Sequence, residues 1–383
     1  MRTALLLVSL LLSIQPDAVA RRDQTSGGNC DQAQEQLKAA ETASAQNDWS
    51  TAAQRYEQAI QVAPGCVEAL VNLGVTYNRL NRPEDAIATF KKAVTKNPEL
   101  LAAHLNLGIT YFRTTRYELA KESLRNALRL NSQHTQARRL LALSLIALEE
   151  YKDAAGELEQ IVKLDPKDAG SRVALGEIYL RLKQYPAAVA SFQNALQLEP
   201  KSARTHRLLG EALDNAGETD KAVDAFRRAT QLDPSLKEAH YALGHVFLKR
   251  GNLDEAFAEF QKELELNADM MMARYQVGQI LYQRGKLNEA VTELSKVVAA
   301  DATFRPAIET LAQARFKQGA INEAIALLER AVALDPTWPN AFALLGRAYK
   351  RAGRTEEAKR AFATAQRLSS EERKRLERAV SKP

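Results

Sequence analysis

The residues best equipped for chemistry in this chain are few. His104, His206 and His240 stand at multiples of 34 residues from one another, Cys30 and Cys66 are the only cysteines, and Met270, Met271 and Met272 form a run. A zinc site needs His, Cys or carboxylate ligands at short, defined spacings, and a phosphate loop needs glycines within one turn. Neither pattern occurs. Histidines that return at a fixed long interval read as packed side chains of a repeated element. The methionine run offers soft ligands, but filling of a packing gap is the stronger reading. The paired acids Glu149-Glu150 and Glu356-Glu357 read as solvated helix starts. No catalytic residue, cofactor or metal is expected.

A second set of side chains suits binding. Leu105, Ile109, Phe112, Ile146 and Leu180, then Tyr241, His245, Tyr275, Gln279, Tyr282 and Phe316, then Arg347 and Lys350 with Arg351 adjacent, fall on one stripe at helical spacing. Val71, Val75, Leu143, Val173 and Leu248 share it, and Arg207, Glu211 and Asp214 make it polar midway. As a groove, the stripe has an apolar floor, an aromatic section and a basic end. That suits a protein or peptide segment with apolar anchors and an acidic end. The smaller aliphatics admit a second reading, as core between neighbouring helices, and the two stand level. Phe112, Tyr275, Tyr282 and Phe316 are expected to be exposed, because so many large rings exceed what packing needs.

The element that must position these residues is a row of 34. Written in such rows from Ala33, the chain aligns column by column through 372, ten rows without insertion or deletion. Column 7 reads Leu73, Leu107, Leu141, Leu175, Leu209, Leu243, Val277, Leu311 and Leu345. Column 8 is glycine or alanine (Gly74, Gly108, Ala142, Gly176), column 20 is alanine throughout (Ala52, Ala86, Ala120, Ala154), and column 32 is often proline (Pro64, Pro98, Pro166, Pro200). Each row carries two apolar faces of helical period and so reads as two helices, A and B, with the proline turning the chain into the next row. Small residues at columns 8 and 20 allow close approach of the two backbones, and bulky columns 11 and 24 fill the gap to the next pair. Column 15, the turn between A and B, is Asn47, Asn81, Thr115, Glu149 and Lys183 in the first five rows and glycine (Gly217, Gly251, Gly285, Gly319, Gly353) in the last five. The two halves read as a duplication rather than as separate domains.

These columns resemble the tetratricopeptide repeat over residues 33–372. The resemblance implies an all-α fold, an α-solenoid of about ten stacked helix-turn-helix units wound as a right-handed superhelix, with the A helices lining a concave groove. It also implies binding of peptides or helices of partner proteins. The family's carboxylate clamp, Lys at column 5 with Asn at column 9, is missing, so C-terminal chaperone tails are not the expected ligand.

The ends differ from the array. Arg2, the apolar run Ala4–Ile14, Pro16 and Ala18-Val19-Ala20 read as a signal peptide covering residues 1–20, followed by a polar leader to residue 32. Export makes a Cys30–Cys66 disulfide the favoured reading over two free thiols, since each cysteine precedes the A helix of adjacent rows. Net charge is +6, yet Pro339–Pro383 holds 12 Lys/Arg against 5 Asp/Glu, so the rest is close to neutral. That argues against nucleic acid as a partner and leaves at most peripheral membrane contact. Residues 373–383 read as a basic capping tail. With the array running to residue 372, no catalytic domain is expected after it. The expected function is a non-enzymatic scaffold or adaptor in a periplasm, or secreted, serving envelope assembly or secretion. Alternatives are a non-catalytic subunit of a sugar-transfer or polysaccharide-export machinery, and anionic-surface binding through the basic C-terminal end.

Overall fold

A computed structural model describes residues 30–380. The leader and the cleavage motif around Ala20 lie outside them. The chain divides into two compact units, Met1–Gly217 and Glu218–Pro383, and the division falls in the turn inside the sixth row.

In the first unit the described elements are a short 3-10 turn, Asp31–Ala33, and eleven helices: α1 Gln34–Ala45, α2 Trp49–Val62, α3 Val67–Arg79, α4 Pro83–Lys96, α5 Leu101–Arg113, α6 Tyr117–Leu130, α7 Thr135–Ala147, α8 Tyr151–Leu164, α9 Ala169–Arg181, α10 Tyr185–Leu198 and α11 Ala203–Asn215. The second unit holds α12 Thr219–Leu232, α13 Ala239–Lys249, α14 Leu253–Leu266, α15 Met271–Gln283, α16 Leu287–Ala300, α17 Arg305–Gln318, α18 Ile321–Leu334, α19 Pro339–Arg351 and α20 Thr355–Val380. Odd-numbered helices are A helices. Within each unit every helix packs on the next, and A helices of adjacent rows also touch, as α3 with α5 and α15 with α17. The fold is an all-α solenoid. No helix among the described residues is long and apolar enough to cross a membrane.

Columns 8 and 24 lock together inside a row. A Cβ on Gly74 would stand 2.4 Å from the Phe90 ring, and one on Gly176 would stand 2.6 Å from the Phe192 ring. Both phenylalanines are fully buried. The bulky column-24 residue therefore fills the hollow over its own row's glycine, where the sequence pattern suggested the gap to the next pair. Interdigitation of this kind leaves no room for a larger residue at column 8.

Column 4 is a packing position, with Leu70, His104, His240 and Ile308 buried, and its histidines and arginines also clamp the inter-row turn. The His104 ring lies 2.9 Å from the Pro98 carbonyl oxygen through Nε2, His206 lies 3.1 Å from that of Pro200 and His240 lies 3.3 Å from that of Pro234. Arginine does the same elsewhere: Arg138 donates to the Ser132 carbonyl at 2.6 Å and Arg172 to the Pro166 carbonyl at 2.9 Å. On the other side of the turn, an Asn or Asp at column 31 accepts a backbone N–H two residues on, as in Lys167 to Asp165 at 3.0 Å and Thr337 to Asp335 at 2.9 Å. That Asx turn supplies partners the helix end lacks. Neighbouring rows are also tied by tyrosine: Tyr77 donates to Glu57 at 2.6 Å, and burial together with this carboxylate pushes its hydroxyl up to about 12.

At column 15 both solutions to the A–B turn are left-handed. Thr115 has φ 58° and Lys183 φ 58°, whereas Gly285 has φ 75°. A β-branched residue is strained there and glycine is not.

Cys30 and Cys66 form a disulfide with their Cα atoms 4.9 Å apart. It ties the start of the first row to the start of α3.

One helix departs from the pattern. The other A helices after the first row begin at column 1, but α13 begins at column 3, after Glu238 in the left-handed region (φ 66°). Glu263 stands against this altered start, at column 27, where alanine is usual. Its carboxylate is fully buried and accepts the backbone N–H groups of Glu238 at 3.0 Å and Tyr241 at 3.2 Å. A buried carboxylate at a helix start satisfies donors that would otherwise be orphaned.

Candidate functional site

The binding stripe on the A helices behaves differently in the two units. In the first, Leu105 (1% exposed), Ile109 (3%) and Ile146 (1%) are closed off, as are Val71, Val75, Leu143 and Val173. They are core between neighbouring A helices, which corrects their assignment to a groove floor. The physical reason is that α3, α5 and α7 touch through small aliphatics, with the Asn78 amide donating to Thr110 Oγ1 at 2.9 Å inside the seam. Phe112 and Leu180 stay partly exposed. The Phe112 ring meets Tyr117 edge-on at 5.6 Å, so it too is half committed to packing. Polar members of this stripe are already paired: Arg139 with Asp168 at 2.8 Å and Glu177 with Arg204 at 2.7 Å.

In the second unit the stripe is open. Tyr241, His245, Tyr275, Gln279, Tyr282 and Phe316 are all half-buried, and Arg347 and Lys350 are exposed. Tyr241 leans on Phe260 with ring centroids 5.6 Å apart, and Tyr275 meets Phe304 edge-on at 5.2 Å. Burial raises both hydroxyls above their ordinary value, and each meets a protein side chain, Tyr241 with Gln276 and Tyr275 with Thr310. The Arg351 guanidinium lies 5.3 Å from the Phe316 ring.

Between α15 and α17 the stripe forms a hollow of about 430 Å³. Helix α15 contributes Tyr275, Gln279 and the adjacent Tyr282 and Gln283, on three successive turns. Helix α17 contributes Arg305, Pro306, Glu309, Thr310 and Gln313, and Trp338 closes one end. Three expected residues thus meet, while Tyr241, Phe316, Arg347 and Lys350 lie outside this hollow. Sequence reasoning passed over Glu309, Gln313 and Trp338. The signal was available for the first two, since they occupy columns 5 and 9 of the same stripe. Trp338 ends its row and had no such signal. Gln313 donates to Glu309 Oε1 at 3.1 Å, and burial pushes the Glu309 carboxyl above the usual range. Arg305 turns instead to Asp335 and to the face of Trp338, 5.7 Å from its centroid.

A second hollow of about 470 Å³ lies between B helices α14 and α16 and is lined in part by Arg274 and Glu293. Its central charges are paired: Glu293 takes Arg274 at 2.6 Å and Lys296 at 2.8 Å, and it sits below the usual carboxylate range because these bonds outweigh its burial. Among the described residues no group of three or more His, Cys, Asp or Glu is placed to hold a metal ion. The acidic pairs are ordinary: Glu150 pairs with Lys121 at 2.7 Å and Glu357 with Arg354 at 3.0 Å.

Helix pairs repeated in register, with the variable side chains gathered on one stripe, define a helical-repeat interaction protein. The chain belongs to the tetratricopeptide repeat family. The profile of the cilia and flagella-associated protein 70 C-terminal domain matches residues 2–241, that of subunit 3 of the anaphase-promoting complex, or cyclosome, matches 215–297, and profiles described as TPR repeat and tetratricopeptide repeat match 312–353 and 339–372. No curated protein matches the chain. Similar solved structures include YrrB, titled a TPR protein with an unusual peptide-binding site, at 24% identity and a TM-score of 0.43, covering 48% of this chain and 95% of that one. MamA is similar at 22% identity and a TM-score of 0.42, covering 43% and 97%, and the MamA 41-end structure from Desulfovibrio magneticus RS-1 at 24% and 0.42, covering 44% and 96%. Proteins of this family act as interaction scaffolds.

Proposed function

We propose that this protein is a non-enzymatic scaffold outside the cytoplasm, which holds a segment of a partner protein along the open stripe of its second unit and serves an envelope assembly or secretion machinery. The observation that carries this reading is the hollow between α15 and α17, where aromatic rings and free amide groups share one accessible face. Tyrosine gives large contact area at low entropic cost, and the Gln279 and Gln283 amides offer both donors and acceptors to an extended backbone. Export is supported by the apolar run before Ala18-Val19-Ala20 and by the disulfide, which suits an oxidising compartment.

The test is capture from the native compartment by wild type and by the Tyr275→Ala/Tyr282→Ala double variant. Wild type should retain a partner that the double variant loses, at unchanged helical content and melting temperature. Equal capture by both would refute the site. Export is checked separately by N-terminal sequencing, which should begin at Arg21; a cytoplasmic protein beginning at Met1 would contradict it.

A further inference from the structure

The hollow between α15 and α17 contains a carboxylate without a counter-charge. Glu309 is half-buried, and the bond it receives comes from a neutral amide, Gln313. Arg305, one helical turn earlier and well placed to pair with it, is engaged by Asp335. Three shielded carboxylates on other helices have cations, and the fully buried Glu263 is held instead by two backbone N–H groups. Glu177 has Arg204 at 2.7 Å, Glu293 has Arg274 and Lys296, and Glu259 has Lys262 at 2.8 Å. Burial raises the Glu309 carboxyl above its usual range.

We propose that this hollow receives a basic side chain, lysine or arginine, of the partner segment, with Glu309 as its counter-charge and the rings of Tyr275, Tyr282 and Trp338 as its walls. The proposal rests on the groove reading above and names what one station of the groove selects. The walls suit a cation, because the same rings already attract the protein's own: Lys317 Nζ lies 4.2 Å from the Tyr282 centroid and the Arg305 guanidinium 5.7 Å from that of Trp338. Of those two cations, Arg305 is neutralised by Asp335. A guanidinium or ammonium entering the hollow would meet Glu309 directly, with Gln279 and Gln313 oxygens for its remaining donors. Other guests fit poorly. An acidic side chain would face Glu309 with like charge. An apolar anchor would strip water from a carboxylate and leave it unpaired.

The experiment uses the full chain and pentapeptides that differ only at the central residue: arginine, lysine, citrulline, leucine or glutamate. Citrulline keeps the size and planarity of arginine and removes the charge. Affinities are measured by calorimetry for wild type and for Glu309→Gln, whose fold is checked by its melting temperature. Wild type should bind the arginine and lysine peptides about tenfold or more tighter than the citrulline peptide, and Glu309→Gln should abolish that difference. Equal binding of arginine and citrulline peptides, a preference that survives in Glu309→Gln, or no measurable binding of the basic peptides would each overturn the proposal. Partner capture that still depends on Tyr275 and Tyr282 but ignores Glu309 would leave the groove standing and remove the cation site. Loss of the tyrosine dependence would remove the groove itself.

Discussion

Ile109 and Gln279 occupy the same column of the repeat and face opposite fates. Ile109, in the first unit, is sealed between A helices; Gln279, in the second, lines a hollow open to solvent. The backbone rule is the same at both. What differs is the neighbours. Val75, Leu105 and Leu143 are small enough to close the seam around Ile109, and closing it buries apolar area at about 25 cal/mol per Å². Tyr275, Tyr282 and Glu309 carry polar ends that must reach water or a partner, so the seam around Gln279 stays open. A repeat stripe is therefore core or binding surface according to whether adjacent rows can afford to desolvate it.

One charge placed at each site separates a sealed seam from an open one. Ile109→Glu should destabilise the first unit by about 4 kcal/mol or more, because the carboxylate is buried unpaired, while Gln279→Glu should change stability by less than about 0.5 kcal/mol. Urea unfolding of both variants decides; similar losses would mean that the second stripe is core as well. Next in size is the disulfide, which belongs to the first unit alone. Cys30→Ser/Cys66→Ser should cost about 3–4 kcal/mol in the chain-entropy treatment of a loop this long. Calorimetry should show the loss in the transition that Ile109→Glu also lowers and not in one sensitive to second-unit variants.

Two glutamates of the second unit sharpen the contrast further. Glu263 is fully buried and caps α13 with both oxygens, so Glu263→Gln, which can supply one acceptor oxygen, should cost about 1–3 kcal/mol. Glu309→Gln should leave stability within about 0.5 kcal/mol and act on ligand preference alone. Thermal melts compare them directly, and equal destabilisation would make Glu309 structural. The smallest effect concerns the turns. Thr115→Gly should stabilise the first unit by up to about 1 kcal/mol by relieving left-handed strain, and Gly285→Ala should destabilise the second by about 1 kcal/mol. Opposite signs in chemical denaturation are expected, and matching signs would contradict the strain argument.

The fold was legible because its columns recur: Leu73, Gly74, Ala86 and Phe90 declare their roles by returning every 34 residues. Period shows which residues share a face, but not whether a neighbouring row closes over that face. Leu105 and Leu180 look alike in the sequence, yet the first is sealed and the second is not. The clamp at column 4 was hidden because histidine and arginine alternate there with leucine and phenylalanine, and its partner is a backbone carbonyl that no side-chain pattern reveals. Glu263 broke an alanine column and was the visible sign of an altered helix start. Nothing in the sequence pattern singled out Glu309 within its stripe. Only the diversion of Arg305 to Asp335 makes its position unusual, and that choice is made in three dimensions.

The most direct measurement is site-specific photo-crosslinking in the native compartment. Benzoylphenylalanine is placed at Gln283 in one chain and at Arg113 in another, the same exposed column of α15 and α5. The open second-unit stripe predicts a covalent partner adduct from position 283 and none from position 113. Adducts of equal yield from both, or from position 113 alone, would contradict it.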